Sequence, residues 1–137
     1  EAKMSDIKPD SFIGTAAVPQ ADGTLKALEV HVFAPSLRGS GEGFNPFESA
    51  NGQVNTMTNG TVGTLVNSHG RTMTVKFHGQ QKTVQVPDDV PVVLISPADK
   101  SVLKPGAKVV LFATKDDKGQ AVARGISAGV NGLTPPM

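Results

Sequence analysis

The sequence has no cysteine, no tryptophan and no tyrosine. Without cysteine there is no disulfide, no thiolate metal ligand and no cysteine nucleophile, and the redox compartment leaves no mark. Any platform for stacking a sugar or a base has to come from the six phenylalanines. An excess of one charge is also missing: thirteen Lys and Arg against twelve Asp and Glu leave a net +1. That is too little for a long-range field that attracts nucleic acid or an anionic membrane. No apolar run approaches the length of about 18 residues that spans a bilayer as a helix, so no transmembrane segment is expected. At 137 residues the chain suffices for one core, or for one domain and part of another. It begins at Glu1 with neither an initiator methionine nor an apolar signal region, and the expectation is either a mature, processed chain or a trimmed one, with something upstream removed.

What is present is turn chemistry. Fifteen glycines and ten prolines punctuate a chain rich in Val and Thr, and no helical apolar period reaches three turns, which predicts a mostly β protein. The clearest strand covers residues 71–78, with Met73, Val75 and Phe77 on one face and Thr72, Thr74, Lys76 and His78 on the other. A strand over 60–66 leads to it through the hairpin residues 67–70, and Gly79-Gln80 turns into an alternating strand over 82–86. Pro87 and Pro91 bound a link to an apolar strand at 92–95, and residues 97–103 have room for one or two helical turns. Two further strands, at 108–114 and 120–127, are joined by a turn at 115–119.

An internal repeat organises these segments. Ile7-Lys8-Pro9-Asp10 matches Leu103-Lys104-Pro105-Gly106, and the same shift of 105 − 9 = 96 positions pairs Ile13 with Val109, Ala17 with Ala113, Gly23 with Gly119, Ala27 with Ala123 and Val30 with Ile126. A shared offset implies a shared folding unit. The front half of the first copy would fall before residue 1. The expected architecture is therefore all-β: a small antiparallel OB-like or related barrel, plus an N-terminal β-hairpin from a truncated second copy. Residues 1–33 form the partial repeat, 34–56 a Gly-rich linker, and 57–137 the complete barrel with a C-terminal tail. A lone two-stranded hairpin is marginal in water, so it is expected to pack on the barrel, extend its sheet or pair with another molecule; a homodimer through an exposed strand edge is one expected form.

The linker stretch Leu37-Arg38-Gly39-Ser40-Gly41-Glu42-Gly43-Phe44-Asn45-Pro46-Phe47 has the glycine content of a phosphate cradle. That use requires a helix N-terminus after the loop, and here another strand follows, so the anion reading fails. The stretch is expected to cross over the barrel with Phe44 and Phe47 as anchors. Should it cover a pocket, Arg38, Glu42 and Asn45 are its polar contacts, which makes Arg38, Glu42, Phe44, Asn45 and Phe47 the candidate ligand-binding residues.

The three histidines raise a metal question. His69 and His78 bracket a strand roughly 30 Å long and cannot share an ion. Glu29 and His31 share a face and are the weak metal candidates, but no third ligand is assigned, so neither a metal nor any other cofactor is expected. No Ser or Thr lies in a nucleophile-elbow context, and Asp88-Asp89 and Asp116-Asp117 read as turns, so the chain is not expected to be an enzyme. Lys76, Lys82, Lys100, Lys104 and Lys108 are interspersed with Asp88, Asp89 and Asp99, so nucleic acid is not expected as a partner.

The half-unit at 6–33, the RGSGEG linker, the entry Thr56-Met-Thr-Asn-Gly-Thr-Val62 and the ending Asn131-Gly-Leu-Thr-Pro-Pro136 resemble a bacterial family of exported β-barrel repeats, domain of unknown function 5666. Relatives often carry the label metal ABC transporter permease, which no segment of this chain supports. Where they usually continue the linker as His-Arg-Pro-Trp-Asp, this chain has Phe44-Asn-Pro-Phe-Glu48. The resemblance implies a periplasmic or otherwise exported protein. The functional expectation is a non-catalytic binding or structural module; the alternatives are a single-stranded nucleic-acid-binding OB-like module and a metal-binding accessory of a transport system.

Overall fold

The first two strands owe their pairing to a five-residue turn. Asp22 Oδ1 accepts from the Thr24 amide at 2.9 Å and from its hydroxyl at 2.6 Å, Gln20 N donates to Thr24 O at 2.8 Å, and Gly23 takes φ +84 at the tip. This turn joins β1 (Phe12–Pro19) to β2 (Leu25–Phe33) in an antiparallel hairpin. The computed structural model of the chain describes residues 1–48, 52–66 and 71–135, excluding the side chains of Phe47 and Glu48.

Seven strands make one mixed sheet: β1, β2, β3 (Gly43–Glu48), β4 (Val54–Val66), β5 (Thr72–Phe77), β6 (Gln80–Gln85) and β7 (Val92–Ile95). β4, β5 and β6 form an antiparallel meander. His78 and Gly79 connect β5 to β6 with φ 44 and 76, positive at both central positions as a tight right-twisting hairpin requires. The expected connection at 67–70, including His69, lies outside the described residues.

The sheet returns on itself. β1 pairs with β2 on one side and with β4 on the other, through Phe12↔Thr61 to Ala17↔Thr56. β2 in turn meets β6 in parallel at Leu25↔Val84 and Lys26↔Gln85, so the pairings run β1, β2, β6, β5, β4 and back to β1. Beyond that short seam, β7 continues along the same edge of β2, from Val30↔Val92 to Phe33↔Ile95. The thirteen-residue β4 changes neighbours midway, and Gly60 marks the place: a Cβ there would lie 2.3 Å from Lys76 O.

Inside the ring, Ile7, Ile13, Ala17, Leu25, Ala27 and Val30 from the N-terminal segment share one core with Val62, Met73, Val75, Val84, Val86 and Val92. The alternation expected over 71–78 is therefore real, since Met73, Val75 and Phe77 are all buried. Burial on both sides makes β1 nearly inaccessible from Phe12 to Ala17.

Contacts divide the chain into units 1–97 and 98–137. The second contains β8 (Val109–Lys115) and β9 (Ala121–Ala128), antiparallel and preceded by a 3-10 turn at Lys100–Val102. Among the described residues these two strands form a separate two-stranded sheet.

The all-β expectation holds, and three boundaries change. The meander is closed by residues 12–33 and not by the strands at 108–127, so the expected complete barrel over 57–137 is replaced by the unit 1–97. Both hairpins alternate apolar residues along one face, and pattern alone does not choose between them. Second, the linker over 34–56 is not a bare crossover, because β3 lines up on β4 from Gly43↔Asn59 to Glu48↔Val54. Its Pro46 is tolerated on an outer strand, where no ladder donor is lost. Third, β4 starts at Val54, before the expected strand at 60. No helix among the described residues is long and apolar enough to cross a membrane.

Candidate functional site

The segment singled out from sequence is held down by the residues proposed to bind a ligand. Gly39, Gly41 and Gly43, with φ of 88, 59 and 147, let the backbone double back, and a strand, β3, follows directly. Arg38 lies beside the turn at 8–11: Nη2 donates to the Asp10 carbonyl, Nη1 donates to Thr61 Oγ1 at 3.3 Å, and the Asp10 carboxylate is 3.7 Å away. That ion pair is exposed, its two side chains 46% and 88% accessible, and is worth on the order of 0 to 1 kcal/mol.

Glu42 does not pair with Arg38 but clamps the β5–β6 turn. Its Oε1 accepts from the His78 amide at 3.1 Å, and its carbonyl oxygen accepts from His78 Nε2 at 2.9 Å. Asn59 Nδ2 donates to the carbonyls of Ser40 and Gly41 at 3.4 and 3.2 Å, fixing the crossing backbone to β4.

Phe44 stacks on Phe77 with centroids 6.1 Å apart at 14° and packs against the core. Lys82 Nζ stands 4.9 Å from the Phe44 ring centroid, a cation–π contact worth about 0.5–1 kcal/mol at an exposed position. Asn45 is exposed, and Phe47 stands opposite Asn55 on the β3–β4 ladder. The structure thus brings together Arg38, Glu42 and Phe44 with Asp10, Thr61, His78, Phe77 and Lys82, as contacts that fasten the segment.

Glu29 and His31 do share a face of β2. His31 Nε2 and Glu29 Oε1 are 2.8 Å apart, with side chains 7% and 11% accessible, so the two potential ligands satisfy each other. Among the described residues no group of three His, Asp or Glu side chains is arranged to hold a metal ion.

Two features escaped the sequence. One is the polar interior of β4: Asn55 Oδ1, Thr58 Oγ1 and Asn59 Oδ1 are buried with no hydrogen-bond partner among the described residues. β4 pairs with β1 on one side and β3 on the other, a placement that nothing local announces. The other is the apolar surface of residues 98–135. Leu103, Val109, Leu111, Phe112, Val122 and Ile126 are between 38% and 58% exposed within one 3-10 turn and one hairpin. The sequence places the strand residues among them in the expected barrel, which implies burial. Val109, Leu111 and Ile126 share one face of the hairpin, Leu111 directly opposite Ile126, and an exposed apolar face is a usual mark of an interaction site.

An open depression of about 680 Å³ in the unit 1–97 is lined by Phe12, Phe33, Pro35, Leu94 and Arg38. Its one guanidinium is already committed to Asp10 and Thr61. Comparison with protein-family models, curated proteins and solved structures gave no match.

Proposed function

We propose that this chain is a non-catalytic, exported binding or structural module that meets its partner through the apolar β-surface of residues 98–135. The observation that carries the reading is the exposure of Leu111 at 58% and Ile126 at 47% on the face whose counterpart in the first hairpin is core. Burying such side chains in a contact returns about 25 cal/mol per Å² of apolar area. The Gly-rich segment is the weaker candidate, because Arg38, Glu42 and Phe44 already have partners within the chain. The exported location rests on the likeness to exported β-barrel repeats. Binding of the apolar dye anilinonaphthalene sulfonate tests the surface. The expected result is dye binding by the full chain that Leu111→Asp with Ile126→Asp removes; dye binding unchanged in that variant contradicts it.

One observation favours a second reading. The antiparallel order β4, β5, β6 followed by a parallel step from β6 to β2 and return through β1 supports an OB-like barrel whose last two strands come first in the chain. In such folds single strands lie across the equivalents of β5 and β6, where Lys82 and Phe44 meet. Salt-sensitive binding of an oligodeoxythymidylate, lost on Lys82→Ala, would establish it.

A further inference from the structure

The 96-residue repeat is carried into the backbone. A 3-10 turn opens each copy, at Met4–Asp6 and Lys100–Val102. A left-handed residue follows each, Asp10 at φ 74 and Gly106 at φ 86. The strand pairs begin at Ile13↔Val32 and at Val109↔Ala128, and the register slips once in each, between Ala16 and Ala17 and between Phe112 and Ala113. All these positions differ by the same shift, 109 − 13 = 112 − 16 = 128 − 32 = 96.

The inner row of the first hairpin is Ile13, Thr15, Ala17, Leu25, Ala27 and Val30, all buried with the meander residues Val62, Met73, Val75 and Val84. The corresponding steps of the second hairpin are Val109, Leu111, Ala113, Ala121, Ala123 and Ile126, every one apolar. Leu103, at the place of the buried Ile7, is 43% exposed. The outer faces do not correspond: Phe12 and Phe33, 5.3 Å apart, become Lys108 and Gly129, and the buried Glu29–His31 pair becomes Gly125 and Ser127. What the two hairpins retain in common is the row that a meander reads.

We propose that β8–β9 is a ring-closing hairpin whose occupant is a three-stranded antiparallel meander of the β4–β6 kind that has no closing hairpin of its own. This rests on the apolar-surface reading above and names the partner for it. The chain's own meander is held by β1–β2 through six pairs to β4 and two to β6, so the recipient is another meander. An isolated two-stranded hairpin is marginal in water, and adding it to open strand edges provides main-chain hydrogen bonds together with burial of the inner row. In that complex Leu111 takes the place of Thr15, opposite the residue equivalent to Thr58, and Ala121 takes that of Leu25, opposite the equivalent of Val84.

The cysteine-free sequence lets one cross-link report the geometry. The recipient probe is the full chain with Ile13→Asp and Leu111→Asp, which place a charge on both of its own inner rows, and Thr58→Cys. The donor is the full chain with Leu111→Cys alone. Mild oxidation of the mixture is expected to yield a donor–recipient disulfide as the main cross-linked species, and adding Ile126→Asp to the donor is expected to abolish it. Absence of that species, or a donor–donor disulfide in its place, overturns the proposal. A second variant keeps the outcome independent of how well the recipient folds: Ile13→Val, Thr15→Leu, Leu25→Ala and Val30→Ile install the second inner row on the first hairpin. Cooperative unfolding at a lowered midpoint is expected, and loss of a cooperative transition overturns the proposal. Dye binding at Leu111 and Ile126 without the heterodimeric cross-link overturns the meander partner and leaves the apolar-surface reading standing.

Discussion

Ile13 and Val109 occupy the same step of two hairpins with the same register, yet Ile13 is fully buried and Val109 is 44% exposed. The difference lies in what covers them. Ile13→Ala should cost about 2–5 kcal/mol, the range for truncating a core aliphatic side chain. Val109→Ala should change stability by less than about 0.5 kcal/mol, as at an ordinary surface position. Urea unfolding of the two variants checks this, and equal losses would contradict the assignment of the core.

Thr58 is fully buried and its hydroxyl has no partner among the described residues. Thr58→Val replaces a desolvated polar group with a methyl of like shape. A gain of about 1–3 kcal/mol is expected, the cost of leaving such a group unsatisfied. A lower thermal midpoint would show that the hydroxyl is hydrogen-bonded in solution.

Among the contacts that fasten the Gly-rich segment are Glu42 on the His78 amide and Phe44 on Phe77. Glu42→Ala removes one hydrogen bond and should cost about 0.5–1.5 kcal/mol. Amide exchange should quicken at residues 39–43 and at His78, while β1 and β5 keep their protection. Phe44→Ala should have the larger effect on the same amides because it also removes apolar contact with the core. Unchanged exchange in both variants would refute the fastening.

Two turn carboxylates are tuned in the same direction. The Thr24 hydroxyl and then the Thr24 amide hold Asp22 below its ordinary 3.8, and the Ser101 hydroxyl and then its amide do the same for Asp99. A pKa depressed in the folded state contributes stability present above the unfolded value and lost as pH falls through the folded one. Both turns should therefore keep their structure at pH 4 and loosen only below it. Carboxyl carbon NMR titrations of Asp22 and Asp99 test this, and midpoints at or above 3.8 would contradict the hydrogen bonds.

Much of the fold is legible in local pattern. Met73, Val75 and Phe77 announce their strand by alternation, and the two copies of the Lys-Pro turn announce the repeat. The strand containing Pro46 was not legible, because an outer strand that pairs only through β4 carries no alternation of its own. Nor was the partner of the meander, since Ile13 and Val109 satisfy the same apolar requirement and the choice is made by long-range pairing. At the candidate site the sequence singles out Arg38, Glu42 and Phe44 by their place in the Gly-rich stretch. Their use in holding the chain to itself depends on Asp10, His78 and Phe77, which only the tertiary fold brings near.

The central claim is that residues 12–33 close the ring on β4 and β6. Cross-strand NOEs in the full chain test it most directly. The account predicts contacts of Thr15 with Thr58 and of Leu25 with Val84. Contacts of Leu111 with Thr58 and of Ala121 with Val84 in the monomer would contradict it, because they would give the meander to the second hairpin.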